Sequence, residues 1–287
     1  MAEFGLVPFA QLALQVADRV LPRYRTRFSK HQFTQPQLLA VVCLMRYADW
    51  TLREAEVRLS EHGELRRALR LRSVPDYTTL HRFLRRVPEP AFAALLAETV
   101  RRFPRPGPAR VAVDGTGLPH RATSTYYHQV IHPRPHWQRP WYWVKWLVAV
   151  DVDRQLLLAQ QVRAGPCNDC GNLPGLLEQA AQTTPIGLVL ADAEFDSERN
   201  HRYIRRHLGA RSVIPAKKGH HRSWRIHGIR AQMRRHFPQR VYRRRALIET
   251  VFSAAKRKLS ARAPGRSLSM QVRQALVFGL AYNLYRV

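Results

Sequence analysis

Residues 141–162 read WYWVKWLVAVDVDRQLLLAQQV. Two apolar runs, Trp141–Val152 and Gln155–Val162, flank Asp153-Arg154, a pattern that predicts two strands joined by a tight turn. Working outward, RVAVD (110–114) is a short β-branched strand ending in an acid. IGLVLA (186–191) is an apolar strand that ends at Asp192, and Ser212–Ala216 reads as another. Helices are expected over Leu173–Gln182 and from a Ser197 cap to about Leu208. Strand, hairpin, helix, strand, helix, strand, helix is the order of an α/β fold, a mixed sheet covered by helices.

Upstream, PRPGPAR (104–110) is a Pro/Gly linker and marks a boundary. Residues 8–103 read as helical: Gln35–Tyr47 is apolar-rich, and Thr51 with Glu54 forms a capping box that opens Leu52–Leu59. A further helix begins near Asp76 or Thr78, with Leu80, Phe83, Leu84 and Val87 on one face and His81, Arg82, Arg85 and Arg86 on the other. Short helices with such a basic member suit a helix-turn-helix arrangement in a DNA groove, or simply a solvated face. The expected division is a helical DNA-binding domain over 1–103, a linker at 104–110, and an α/β domain over 111–287 with a basic insertion at about 217–240. A helix over 241–260 and an apolar helix over Ser269–Tyr285 close the chain.

Charge narrows the function. The chain has 48 Lys and Arg against 20 Asp and Glu, a formal net charge of +28, with 45% hydrophobic residues. That apolar share supports a globular core rather than a disordered basic tail, and the field favours nucleic acid as partner. A membrane-surface protein would concentrate its cations on one amphipathic helix, whereas here they run the whole length. No run of about 18 apolar residues and no basic-then-apolar leader is present, so neither a spanning helix nor a secretory signal is expected. Three cysteines, Cys43, Cys167 and Cys170, fit a reducing compartment, the cytoplasm or nucleoid.

Three acids stand out. Asp114 and Asp192 each follow an apolar strand, where open α/β sheets place their ligand sites. Glu249 is the one acid among the last 89 positions (199–287), which hold 23 Lys and Arg. On a continuous helix Tyr242, Arg245, Glu249 and Lys256 would fall within roughly 60° of one another. Such a stripe suits a divalent cation meeting a phosphodiester, and equally a plain Arg245–Glu249 surface pair. If Glu249 packs near the strand ends, the three carboxylates could hold two Mg²⁺ for an in-line displacement.

The chain resembles the DDE transposases of bacterial insertion sequences in VAVDGTGL around Asp114, LADAEFDSERN around Asp192, and YRRRALIETVFSAAKRKL around Glu249. The last matches that family's Y-x2-R-x3-E-x6-K signature at Tyr242, Arg245, Glu249 and Lys256. The resemblance implies an RNase H-like (retroviral-integrase) fold, with Asp114, Asp192 and Glu249 as ligands of two Mg²⁺, for which Mn²⁺ substitutes. It implies that Tyr242, Arg245 and Lys256 contact the DNA end. It further implies double-stranded DNA as partner, a homodimer on DNA, and cleavage to free a 3′ hydroxyl followed by strand transfer. Arg82, Arg85, Arg86, Lys217 and Lys218 are the other expected DNA contacts. A retired, non-catalytic DNA-binding regulator and a structure-specific nuclease are the rival readings.

Other features are weaker. Cys167-x-x-Cys170 is half a zinc site with no second pair, and PRP (133–135) breaks any helix that would align His128, His132 and His136. Trp137, Trp141, Trp143 and Trp146 could stack on unpaired bases, but alternation fits strand packing better. Asp151 and Asp153 belong to the hairpin turn, while Glu194, Asp196 and Glu198 read as loop and helix-start charges.

Overall fold

The computed structural model describes residues 5–120, 143–217 and 228–287. Two compact units emerge, a helical one (1–103, 118–144, 255–287) and one built on the sheet (104–117, 145–254).

The first six helices are α1 (Leu6–Val20), α2 (Gln35–Tyr47), α3 (Leu52–Glu61), α4 (Gly63–Ala68), α5 (Tyr77–Arg86) and α6 (Glu89–Arg101). Their starts follow from side chains that satisfy orphan N–H groups. Thr34 and Thr51 form capping boxes with Gln37 and Glu54, and Asp76 accepts from the Thr78 and Thr79 N–H groups. On α5, Leu80, Phe83 and Leu84 are buried while His81, Arg82, Arg85 and Arg86 are exposed, as the sequence requires.

In the sheet unit the order is β3-β2-β1-β4-β5. The strands are β1 (Ala109–Pro119), β2 (Trp143–Asp151), β3 (Leu156–Ala164), β4 (Ile186–Ala191) and β5 (Arg211–Val213). β2 and β3 form the expected hairpin, closed where the Gln155 N–H donates to the Asp151 carbonyl at 2.8 Å. β1 pairs with β4 in parallel, Val113 opposite Ala191, and β4 pairs with β5 in parallel. Parallel pairing needs a crossover. That between β1 and β4 includes the hairpin and α7 (Leu173–Ala181); that between β4 and β5 includes α8 (Glu198–Arg202), which Ser197 caps. A π-helical turn, Tyr203–His207, extends α8 toward the expected end near Leu208.

Three elements differ from the sequence reading. β1 continues to Pro119 instead of stopping at Asp114, and β5 covers only Arg211–Val213 because Pro215 cannot donate to a ladder. The expected continuous helix over 241–260 is segmented. α9 (Gly228–Arg235) precedes α10 (Gln239–Tyr242), a 3₁₀ turn over Arg243–Ala246 follows, and α11 (Leu247–Lys258) carries Glu249. The 3₁₀ turn, tighter than the α-helices on either side of it, breaks the constant pitch the sequence reading assumed.

The last helix, α12 (Leu268–Arg286), is buried on nearly all sides and packs against α2 and α6. A helix apolar all round belongs in a core. Packing therefore groups 255–287 with the N-terminal helices, whereas the sequence grouped them with the sheet. Among its few polar groups, Asn283 donates to the Thr99 hydroxyl at 2.9 Å, satisfying two side chains with no solvent exposure. None of the described helices is long and apolar enough to cross a membrane.

Candidate active site

The β1–β4 register fixes the first pair of acids. Val113 faces Ala191, so Asp114, midway along β1, and Asp192, just past the end of β4, come side by side. Asp114 Oδ1 accepts the Gly115 N–H at 2.8 Å, and Oδ2 accepts from Arg245 Nη1 at 2.9 Å. Burial pushes the Asp114 carboxyl above its ordinary value, and the neighbouring Asp192 charge acts in the same direction. The Gly115 N–H and the Arg245 guanidinium oppose the shift without cancelling it. Asp192 Oδ1 accepts the Glu194 N–H at 2.8 Å and caps a 3₁₀ turn, Ala193–Phe195.

Arg245 ties the third acid in. Its Nη2 donates to Glu249 Oε1 at 3.0 Å, one helical turn on, while the guanidinium lies 5.9 Å from the centre of the Tyr242 ring. In a 3₁₀ turn, residues three apart eclipse, which stacks Arg245 under Tyr242 despite the broken helix. Burial works against the Arg245 charge, but Asp114, Tyr242 and Glu249 outweigh it and raise the guanidinium pKa. Burial also raises the Tyr242 phenol. The Arg245–Glu249 pair expected as a bland surface contact thus exists, and the same guanidinium reaches 131 positions back to Asp114.

The three acids do not yet form a cage. Among the described residues, no three His, Cys, Asp or Glu side chains sit close enough to hold an ion together. Asp114 and Glu249 instead share a cation that belongs to the chain. Glu249 is 62% exposed and Asp114 19%, so solvent reaches both.

Two residues here escaped the sequence reading. Lys145 Nζ lies 2.5 Å from Asp169 Oδ2 and 3.7 Å from Glu194 Oε2. Asp169 is 2% exposed, and burial raises its carboxyl pKa against the pull of Lys145. A Cβ on Gly115 would meet Asp169 Oδ2 at 3.1 Å and Lys145 Cε at 3.2 Å, so only glycine lets these groups approach β1. One signal was available: Lys145 sits inside the apolar run WYWVKWLVAV, and a buried lysine needs a carboxylate. Asp169, between the two loop cysteines, gave none.

The remaining expectations fall into place singly. Asp196 is fully enclosed, accepts two bonds from Arg230 and one from the Lys217 N–H, and with Glu198 anchors the start of α9. Asp151 accepts the Asp153 N–H within the turn, as expected, but also binds Arg105 and Arg154. Cys170 receives Asn200 Nδ2 on its carbonyl and sulfur. Trp146 is buried, donates to Gln160 Oε1 at 3.0 Å and packs on Phe252, as strand packing requires. Arg82, Arg85, Arg86 and Lys217 are exposed. Lys256 is half-buried two turns beyond Glu249, and burial lowers its ammonium pKa. Lys218, His128, His132, His136, Trp137 and Trp141 lie outside the described residues.

No curated protein matches the chain. A cryo-EM structure of a piggyBac transposase synaptic complex with hairpin DNA is similar, with TM-score 0.51 over 99% of this chain and 74% of that chain. At 9% identity this likeness is one of fold, an RNase H-like mixed sheet with flanking helices. The family model of the transposase DDE domain matches residues 105–284, which include Asp114, Asp192 and Glu249. By that match the chain belongs to the DDE transposase family.

Proposed function

We propose that this chain is a DNA transposase of a bacterial insertion sequence, acting in the cytoplasm on nucleoid DNA. It cuts at element ends to free a 3′ hydroxyl, then joins that hydroxyl to a target phosphodiester. One observation carries the reading. Asp114 on β1 and Glu249 on α11 share the Arg245 guanidinium, and the β1–β4 register sets Asp192 next to Asp114.

The donor set fits Mg²⁺, with Mn²⁺ as substitute, because carboxylate oxygens are the hard ligands both ions prefer. Arg245 marks where positive charge is favoured between Asp114 and Glu249. When bound, two such ions supply Lewis-acid activation of the attacking oxygen and stabilise the leaving 3′ oxygen. The residues of the chain do the rest. Lys145 neutralises Asp169 and Glu194 beside the strand ends, and Tyr242 restrains Arg245. Arg245, freed from the acids, can engage a phosphate with a two-pronged fork, and Lys256 supplies a point charge. Displacement at phosphorus by water or a hydroxyl needs no covalent protein intermediate.

Double-stranded DNA is the partner, held largely through phosphates by Arg82, Arg85, Arg86, Lys217, Lys218, Tyr242, Arg245 and Lys256, with a homodimer pairing two element ends. The formal charge of +28 supports this, as does the DNA in the piggyBac complex of similar fold. Binding should weaken steeply as salt rises. The test is incubation of labelled element-end duplex with Mg²⁺ and a supercoiled target. Joined products support transposition, cutting alone a nuclease, and binding without cutting a regulator.

A further inference from the structure

The helical unit holds a cavity of about 690 Å³ whose walls include Arg46, Arg85, Arg262 and Arg266. One carboxylate, Asp49, joins them in the lining and is paired with Arg262 at 2.9 Å. Arg46 is the unusual member. It is 6% exposed, and its Nη2 donates to the Arg262 carbonyl rather than to any acid. Its Nε is buried with no hydrogen-bond partner among the described residues, and its guanidinium lies 5.1 Å from the Phe278 ring centre. Burial draws its pKa down to about 10. Asp49 favours its charge and Arg262 opposes it, and a buried guanidinium with an unsatisfied N–H is costly unless a further acceptor completes it.

Two further observations point at the ligand. Ser267 and Met270, the cap and first turn of the 19-residue α12, also line the cavity, so a helix start presents its positive end there. Opposite in chemistry, Trp50, Met45 and Leu52 supply an aromatic and apolar wall. Cations, a helix start and an indole in one lining match an anion joined to a planar ring.

We propose that this cavity binds a nucleoside phosphate, its phosphate against Arg46, Arg262 and the start of α12, and its base against Trp50. The site is separate from the acids of β1 and β4 and does not depend on their cutting DNA. A free nucleotide and the end of a DNA strand both offer this phosphate and base.

Isothermal titration of the full chain at about 0.15 M salt, where long-range attraction is screened, tests it. Deoxyadenosine 5′-monophosphate should bind at least about tenfold tighter than deoxyadenosine or inorganic phosphate. Trp50→Ala and Arg266→Ala should each weaken it several-fold, and Arg46→Met about tenfold, whereas Arg163→Ala on the exposed face of β3 should not. If Arg46→Met fails to fold, the other two variants carry the test. Equal affinity for inorganic phosphate and the monophosphate overturns the proposal, as does equal weakening by Arg163→Ala. Competition by a 5′-phosphorylated tetranucleotide assigns the site to a strand end; its absence, with monophosphate binding intact, assigns it to a free nucleotide. Glu249→Gln should leave the titration unchanged, so failure of the proposed DNA cleavage and failure of this site are separable.

Discussion

At the start of β1, Asp151 and Asp153 are enclosed by Arg105, Arg110, Arg154 and Arg244; midway along it, Asp114 shares Arg245 with Glu249, and Asp192 lies beside Asp114. The first cluster is saturated. Asp151 has no solvent exposure and takes bonds from Arg105 at 2.8 Å and Arg154 at 2.7 Å, while Arg110 holds Asp153 with a two-pronged fork. Its cations are ties that hold the start of β1 to the hairpin turn. The second cluster is paired more sparely among the described residues: Arg245 bonds Asp114 and Glu249, and Lys145 lies beside Asp169 and Glu194. The pKa values record the contrast, since the Arg110 bond holds the Asp153 carboxyl below its ordinary value while burial pushes Asp114 above it. Acid–arginine pairs thus serve stability where charge balances, and leave room for an added cation where it does not.

That contrast can be broken in order of expected effect. Asp114→Asn, Asp192→Asn or Glu249→Gln should each reduce DNA cleavage by about 10³-fold or more with duplex affinity kept, while Asp153→Asn leaves the rate near normal. Gel assays of cutting and of binding check it, and normal cleavage by Glu249→Gln would sink the site assignment. Asp151→Asn strands two arginines at a buried position and should cost about 3–5 kcal/mol in urea unfolding. A loss under about 1 kcal/mol would mean the turn cluster is not the tie described here.

Gly115→Ala sharpens the comparison at the more sparely paired cluster. Its methyl would press on Asp169, Lys145 and Leu147, costing about 1–3 kcal/mol and slowing cleavage through the displaced pair. Unchanged stability and rate would show that this stretch of β1 tolerates slack.

The smallest effect concerns pH, and its sign differs between clusters. Asp153 has a lowered folded pKa, so its ionised form adds stability above its ordinary value of 3.8, lost as pH falls through the folded pKa. Asp114 has a raised folded pKa, so its ionised form costs stability at neutral pH, and the cost is relieved as pH falls through that pKa. Melting temperatures at pH 7 should therefore fall for Asp153→Asn and rise for Asp114→Asn. The same direction for both would refute the opposition between the two clusters.

Much of this was legible along the chain. The hairpin, β4, α2, the Thr51 capping box and the Asp76 cap follow from alternation, turn residues and side chains that bond backbone within a few positions. Asp192 was legible as the acid that follows β4 for the same reason, whereas Asp114, read as ending β1, lies within it. The segmented helix before Glu249 was not legible, because a face argument assumes constant pitch and the 3₁₀ turn over Arg243–Ala246 interrupts it. Lys145 and Asp169 were missed because a buried ion pair joins two elements, and neither partner's neighbours announce the other.

The sequence by itself determined where most strands and helices begin, which acid follows β4, and that the molecule carries a field suited to polyanions. These depend on periodicity, caps and summed charge, all local or additive quantities. Tertiary structure alone decided that β1 lies beside β4, which sets Asp114 next to Asp192. It also decided that Arg245 bridges Asp114 and Glu249, and that α12 joins the N-terminal helices around a cavity lined by Arg46. Contacts across a hundred or more positions form only when buried surface outweighs chain entropy, and no local pattern encodes that balance.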